Sequence, residues 1–238
     1  MIDFHSHLLP GIDDGSDSTE TSLAMLDLWR SQGIRRICCT PHFYAYSNTP
    51  ARFLVNRKNA YEKMQIAMGN ADSSPDAWPK LLLGAEVHFF DGMSSSEDLP
   101  SLCLHGTNLL LVEMPFRKWT DRMLEEIVLI NRRGLQPVAA HIERYFDFNS
   151  GRMIRRFMED TGVMIQCNAS FFLNQRTRRH ALKMLKKEQI HFLGSDAHNM
   201  EGRKPNLGPA LELIEDKLGG ASLEWLEDIE TDWIDISP

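Results

Sequence analysis

The sequence predicts an α/β fold on parallel strands, arranged as a barrel or an open sheet. Two observations point there. Short apolar runs alternate with longer amphipathic ones through most of the 238 residues, and repeated strand–helix units favour parallel strands. Histidines and acids recur where the short runs end, and in a parallel barrel those ends gather on one face. A chain of this length commonly forms one domain, here residues 1–238 with an acidic extension from about residue 221.

The elements follow in order. Residues 1–5 form a short first strand. Residues 17–32 read as a helix: Asp17 can cap it, Glu20 sits three residues on, Leu23, Leu26 and Trp29 share a face, and Gly33 ends it. Residues 34–40 are a second strand, stopped by Pro41, and 51–68 are helical. A polar loop with two prolines spans 70–79, and 80–89 is one strand. Residues 94–96 are a short polar loop. Strand 108–113 and helix 121–133 come next, the helix ended by Gly134. Then follow strand 136–141, helix 152–161, strand 162–168, helix 175–187, strand 190–194 and helix 205–218.

Composition excludes some partners. Hydrophobic residues at 42% and charged residues at 25% are ordinary for a soluble globular protein. The net charge of −7, from 26 Lys and Arg against 33 Asp and Glu, argues against a nucleic-acid partner. It leaves open small phosphorylated groups, which need only a few local cations. Glu224, Glu227, Asp228, Glu230, Asp232 and Asp235 crowd the C-terminal end with no Lys or Arg among them and read as a solvated tail. Cys38, Cys39, Cys103 and Cys167 form no C-x-x-C pair, and the two neighbours are poorly placed to bridge each other. With no signal peptide, a reducing cytoplasm is the expected home. No apolar run approaches the roughly 18 residues of a membrane span, so no membrane insertion is expected.

The chemistry lies at the strand ends. His5 and His7 follow the first strand, with Asp13 and Asp14 in the loop after it, and His42 follows the second strand. Glu86 lies late in the third, Glu113 ends the fourth and His141 the fifth, while Asp196 and His198 follow the seventh. Imidazole and carboxylate ligands suit Mn, Fe or Zn. His-x-His on an extended segment puts both rings on one side, and Asp196 and His198 repeat that spacing. The collection exceeds the needs of one ion. It points to two or three divalent metals and a bridging water made nucleophilic by a lowered pKa, a metal-bridged hydroxide. Arg144 and Arg203 stand beside these ligands, and a guanidinium can take phosphate oxygens bidentately. His88, His105, His180 and His191 read as surface or packing residues, and His88, on the strand face of Glu86, has the further option of supporting a ligand. No C-x5-R, G-x-S-x-G or G-x-x-x-x-G-K-[ST] arrangement is present, so covalent catalysis by Cys or Ser lacks support.

Asp3-Phe4-His5-Ser6-His7, Thr40-Pro41-His42, His141-Ile142-Glu143-Arg144 and Gly194-Ser195-Asp196-Ala197-His198 resemble the PHP (polymerase and histidinol phosphatase) superfamily. Leu9-Pro10-Gly11-Ile12-Asp13-Asp14-Gly15-Ser16, Gly84-Ala85-Glu86-Val87, the run from His141 to Tyr145, and Ser195 to Asn199 with Arg203 resemble one branch. That branch is the bacterial manganese-dependent tyrosine-protein phosphatases of the CpsB/CapC type. The resemblance runs from Met1 to about Leu218, short of the acidic tail. It implies a distorted TIM-like (β/α)7 barrel, three metal ions with Mn2+ first, and hydrolysis of phosphotyrosine on a protein. The implied partner is a bacterial tyrosine autokinase of capsule or exopolysaccharide synthesis. It carries His5, His7, Glu86 and Asp196 to one metal region, Glu86, Glu113 and His141 to a second, and Asp14, His42 and His198 to a third. It carries Arg144 and Arg203 to the phosphate. Two other functions compete: a small-molecule phosphatase of the histidinol-phosphate type, and a non-catalytic PHP binding module, which the intact ligand set opposes.

Overall fold

A computed structural model describes residues 1–72, 74 and 78–234. It is an α/β fold with a curled, wholly parallel sheet. β1 (Ile2–Ser6) is buried along its whole length, as a strand covered on both faces must be. α1 (Thr19–Ser31) is capped by Ser18, whose hydroxyl accepts from the Thr21 N–H at 3.2 Å. The expected cap, Asp17, instead accepts from the Thr21 hydroxyl. The Trp29 indole donates to buried Asp3 at 2.7 Å and fastens α1 to β1.

β2 (Arg36–Cys39) pairs with β1, and β4 (Lys80–Leu83) with β2. α2 (Pro50–Ala71) lies between them in sequence. Here two expected strands change. Residues 34–40 shorten to β2 and, after Pro41, the chain re-forms as β3 (His42–Phe43). Residues 80–89 divide into β4 and β5 (Glu86–His88). Pro41 has no N–H to give a ladder, and the opposite strand breaks at the same level, around Gly84 and Ala85. Cys39 pairs with Leu83 and His42 with Glu86 at an unchanged offset. The break therefore turns the chain without shifting its register. Buried Arg57 braces it by donating to the Gly84 carbonyl at 2.5 Å.

After the short α3 (Leu99–Leu102), β6 (Leu109–Glu113), β7 (Gln136–Ala139), β8 (Met164–Asn168) and β9 (Phe192–Gly194) extend β3 and β5 into a six-stranded sheet. α4 (Asp121–Arg132), α5 (Gly151–Asp160), α6 (Ala169–Leu173), α7 (Arg178–Leu185) and α8 (Leu207–Leu218) connect or follow these strands. Residues 94–96, expected as loop, fall largely in a 3-10 turn (Met93–Ser95). Past the end of β9, Asp196 N–H donates to the His5 carbonyl at 2.8 Å and His7 N–H to the Ala197 carbonyl at 2.9 Å, which brings the last strand end against the first. Phe4 and Phe192 stack at 4.0 Å among apolar residues from most of the strands.

The acidic C-terminal segment is not a solvated tail. It forms α9 (Ala221–Ile234), with Leu226 and Glu230 buried. Leu223, Leu226, Ile229 and Trp233 recur at helical spacing, and Ile229 and Trp233 pack against the Phe4–Phe192 cluster. Glu230 accepts from the Ile2 N–H at 3.0 Å and pairs with Arg36 at 3.3 Å, while the Trp225 indole donates to the Ile190 carbonyl. Glu224, Glu227, Asp228 and Asp232 lie on the exposed face of a packed helix, and Glu230 turns inward. Residues 73 and 75–77 of the expected loop, and Asp235 of the tail, lie outside the described residues. No described helix is long and apolar enough to cross a membrane.

Leu226→Ala should therefore cost about 2–5 kcal/mol of stability. Glu227→Ala, on the exposed side, should stay within about 0.5 kcal/mol. Denaturant titration of both variants checks this. Equal, near-zero effects would return the segment to a solvated tail.

Candidate metal centre

Eight of the nine predicted ligands stand at or just beyond a strand end, and Asp14 lies in the loop after β1. His5 lies in β1 and His7 just past it, His42 opens β3, Glu86 opens β5 and Glu113 closes β6. His141 follows β7, and Asp196 and His198 follow β9. Backbone strain accompanies two of them: His141 has φ +31° and Asp196 φ +52°, a region costly for residues with a Cβ. Two glycines let the chain close in. A Cβ on Gly15 would lie 2.3 Å from the His7 carbonyl oxygen, and one on Gly194 would lie 2.6 Å from the His5 Cβ.

Three groups of side chains bring their ligand atoms within 4.8 Å of one another: His5, His7 and Asp196; His7, Asp14, His42 and His198; and His42, Glu86 and Glu113. His141 reaches Glu86 at 2.9 Å and Glu113 at 3.7 Å. All nine expected ligand residues are thus assembled, with His7 and His42 each shared between groups. Asp14 is the exposed member, its side chain 67% accessible.

Hydrogen bonds on the far side of the rings fix which nitrogen looks inward. His5 Nδ1 meets the Gln166 amide oxygen at 3.2 Å, His7 Nδ1 meets Asp13 at 2.7 Å, and His198 Nδ1 meets the Asp196 carbonyl at 2.9 Å. Each Nδ1 faces an acceptor and so carries the proton, which in the neutral ring turns the Nε2 lone pair toward the centre. His5 Nε2 and His7 Nε2 stand 3.2 Å apart. Glu86 lies 3.2 and 3.3 Å from them and Asp196 3.7 and 3.5 Å. His198 Nε2 and His141 Nδ1 are buried and have no hydrogen-bond partner among the described residues. These residues fit divalent metal ions.

Electrostatics agree. Burial opposes charge on His7, but hydrogen bonds to Asp13 and Glu86 outweigh it and raise its pKa to about 10. Burial likewise opposes the Asp13 carboxylate, yet the His7 hydrogen bond and charge hold it at about 2. Burial and the His7 charge push His198 down to about 4. Glu86, although buried, is held well below the ordinary carboxylate range by His5, His141 and His42. His7 must release its proton to offer Nε2 as a ligand.

Arg144 and Arg203 both reach Asp196, Arg203 at 2.7 Å and Arg144 in a closer contact. Both are more than a third exposed. With Lys204 they line a pocket of about 360 Å³ in which Asp196 and Glu201 are the acids. Of the remaining histidines, His88 contacts Glu113 at 2.8 Å, so it supports a predicted ligand. His180 packs on Phe146, His191 accepts from the Ile165 N–H, and His105 is exposed.

Sequence reasoning missed the orienting residues. Asp13 holds His7 and also accepts from the His42 N–H at 2.9 Å. Gln166 accepts from the His141 N–H at 2.6 Å and passes a hydrogen bond to Asn168, which donates to Asp196 at 3.0 Å. A signal existed for Gln166. It sits in the middle of an apolar strand, and a buried amide must find partners.

Comparison with known proteins places this geometry. A family model described as capsular polysaccharide synthesis, CpsB/CapC, matches residues 1–228, ten residues beyond the expected end of the resemblance and into α9. Tyrosine-protein phosphatase CpsB of Streptococcus pneumoniae is 29% identical over 229 residues, covering 92% of this chain and 91% of that protein. Tyrosine-protein phosphatase CpsB of Streptococcus agalactiae serotype III is 27% identical over 226 residues, covering 90% and 89%. A solved structure, described as that of YwqE from Bacillus subtilis and CpsB from Streptococcus pneumoniae, metal-dependent tyrosine phosphatases, matches with a TM-score of 0.80 at 26% identity. The match covers 97% of this chain and 93% of that one. One family model thus spans the chain from β1 into α9, and the chain belongs to the CpsB/CapC family of capsular polysaccharide synthesis.

Proposed function

We propose that this chain is a metal-dependent tyrosine-protein phosphatase acting on phosphotyrosine of a protein in capsule or exopolysaccharide synthesis, with a bacterial tyrosine kinase as partner. One observation carries the metal chemistry: His5 Nε2 and His7 Nε2 meet at 3.2 Å against the Glu86 and Asp196 carboxylates. Imidazole lone pairs and carboxylates share a buried space stably around cations. The relatives' names, tyrosine-protein phosphatase in each case, support the substrate.

His5, His7 and Asp196 would hold one ion, Asp14, His42 and His198 another, and Glu86, Glu113 and His141 a third. The mixed donors suit Mn, with Fe or Zn as substitutes. Bound ions would supply Lewis-acid charge and a nucleophilic water at neutral pH. Arg144 and Arg203 would take phosphoryl oxygens, and Asp196 holds both guanidinium groups in place for this. Asp13 and Gln166 hold His7 and His5 in the tautomer that ligation needs. We read the strands as one distorted (β/α)7 barrel, β2 with β3 and β4 with β5 each counting as one interrupted strand, and residues 1–238 as one domain. The four cysteines are free and buried, which supports a cytoplasmic setting.

Three outcomes test this reading. Chelation should abolish hydrolysis of a phosphotyrosine peptide, and Mn should restore it best. Full turnover in chelated protein would sink the metal mechanism, and turnover of histidinol phosphate in preference to the peptide would replace the substrate.

His5→Ala, Glu86→Ala and Asp196→Ala should each lose bound metal and most of kcat, with His180→Ala as the wild-type-like control. Arg144→Ala and Arg203→Ala should keep their metal and lose roughly 10- to 1000-fold in kcat/KM, the scale of one lost transition-state donor. Metal analysis beside kinetics separates the two classes. Arginine variants that lose metal would belong to the ligand set instead.

Asp13→Ala should weaken metal binding by about 10- to 100-fold with the fold intact, the scale of a lost partner behind a ligating histidine. Metal titration of the variant checks this, and wild-type affinity would show that Asp13 does not orient His7.

A further inference from the structure

A separate groove of about 560 Å³ lies between α5 and α7, the helices on either side of β8 in the chain. Phe146, Ile154, Met158 and Met184 give it an apolar floor, buried or partly buried. Arg155, Glu159 and Lys187 stand exposed at its rim. Phe146 follows Arg144 by two residues in the turn after β7. The groove therefore begins next to an arginine assigned above to the phosphate.

The surface around it is basic in an acidic chain. Residues 151–189 hold nine Arg and Lys against three Asp and Glu, whereas the whole chain has a net charge of −7. Some of these cations serve the fold. Arg156 pairs with Asp121 and Asp160, and Arg178 donates to the Phe172 and Leu173 carbonyls. Arg155, Arg179, Lys183 and Lys187 are exposed and pair with no acid among the described residues. Arg179 and Lys183 stand one turn apart on α7, where like charges repel.

We propose that this groove docks an acidic segment of the protein substrate, outside its phosphotyrosine. One apolar side chain of the segment sits on the Ile154–Met184 floor, and its carboxylates meet Arg155, Lys187 and the cations of α7. The inference rests on the phosphatase reading for what the docked protein is. Charge and shape choose this occupant. Unpaired cations on an acidic chain complement carboxylates, and a concave apolar floor accepts a single anchoring side chain. A flat anionic bilayer would instead need apolar side chains projecting outward. None of the large exposed hydrophobic residues among those described lies between residues 151 and 189. A segment held here would raise the local concentration of the phosphotyrosine attached to it.

The test uses a fluorescein-labelled EELEELEE peptide, followed by anisotropy, with EEGEEGEE and KKLKKLKK as controls. The protein should prefer EELEELEE to both. Arg155→Glu combined with Lys187→Glu should weaken that binding by about 10-fold or more, with fold and metal content unchanged, because neither residue belongs to the metal centre. Met158→Trp, which fills the groove without altering charge, should remove the preference for EELEELEE over EEGEEGEE. A kinetic arm joins EELEELEE to a phosphotyrosine peptide through Gly-Ser linkers of graded length. The tail should lower KM by about 10-fold or more at the best length, and the double charge reversal should erase that gain while the tail-less peptide keeps its wild-type turnover. Equal binding of EELEELEE and EEGEEGEE, affinity unchanged in the variants, or a tail without effect on KM at every length would overturn the proposal. Binding to phosphatidylglycerol vesicles in place of the peptide would overturn it too, by making the face a membrane contact. If no phosphopeptide were hydrolysed, the phosphatase reading would fail, whereas peptide binding lost on charge reversal would still uphold the groove.

Discussion

Glu86 is the contact on which the site depends. Four histidines from three strand ends reach its carboxylate: His5 at 3.2 Å, His7 at 3.3 Å, His42 at 2.9 Å and His141 at 2.9 Å. Its position is set by the break that separates β4 from β5. Because the pairing offset is unchanged across that break, Glu86 stands directly opposite His42. A one-residue slip would turn Glu86 to the other face of the sheet and put Ala85 or Val87 in its place. The local chemistry of Pro41, Gly84 and Arg57 is therefore part of the metal centre although none of them could bind a metal.

Much of this was legible in the sequence, for a physical reason. Ligands at strand ends are short-range features: a strand is recognised by its apolar run, and the residue that ends it is read directly. His5, His7, His141 and Asp196 fell out of that logic. The tail did not, because counting charge ignored spacing. Its acids share a helix with Leu223, Leu226, Ile229 and Trp233, and an apolar stripe at that period packs whatever the charge of the other face. The break in the 80–89 strand was hidden too, because Gly84 and Ala85 are compatible with a strand and become a break only when Pro41 lies alongside. Gln166 was legible as a buried amide in need of partners but not as the partner of His5, a contact between distant strands, and nothing in the short loop after β1 marks Asp13 as the acid that turns to His7.

The arginines show how one carboxylate can serve two ends. Asp196 faces His5 and His7 with one oxygen and carries both guanidinium groups as well. Its charge is held well into the ionised range by His5 and Arg144 against the cost of burial. Two flexible side chains that would otherwise sample many rotamers are thereby ordered in advance, which lowers the entropy lost when a phosphate arrives. The same pairing weakens each guanidinium as a free cation, so the arrangement exchanges raw attraction for placement. That exchange would suit a site in which bound metal ions supplied most of the charge.

The strands carry opposite loads at their two ends. At the site end, buried acids, imidazoles and two strained backbones at His141 and Asp196 are gathered where burial penalises them. Toward the other end, Ile2 and Phe4 of β1 and Phe192 of β9 pack with Val138 and Met164, under the apolar face of α9. Ile2 and His5 are three residues apart on one strand, so an apolar anchor and a predicted metal ligand share a single rigid element. Stability gained at the anchor is transmitted as position at the ligand, because a fully buried strand paired with β2 and bridged to Ala197 at its end cannot relax at one end alone. That makes α9 part of the support for the centre. It covers the apolar end with Ile229 and Trp233, and it takes the Ile2 N–H onto Glu230, three residues before His5. The acidic helix thus bears on the site through the first strand, without touching a ligand.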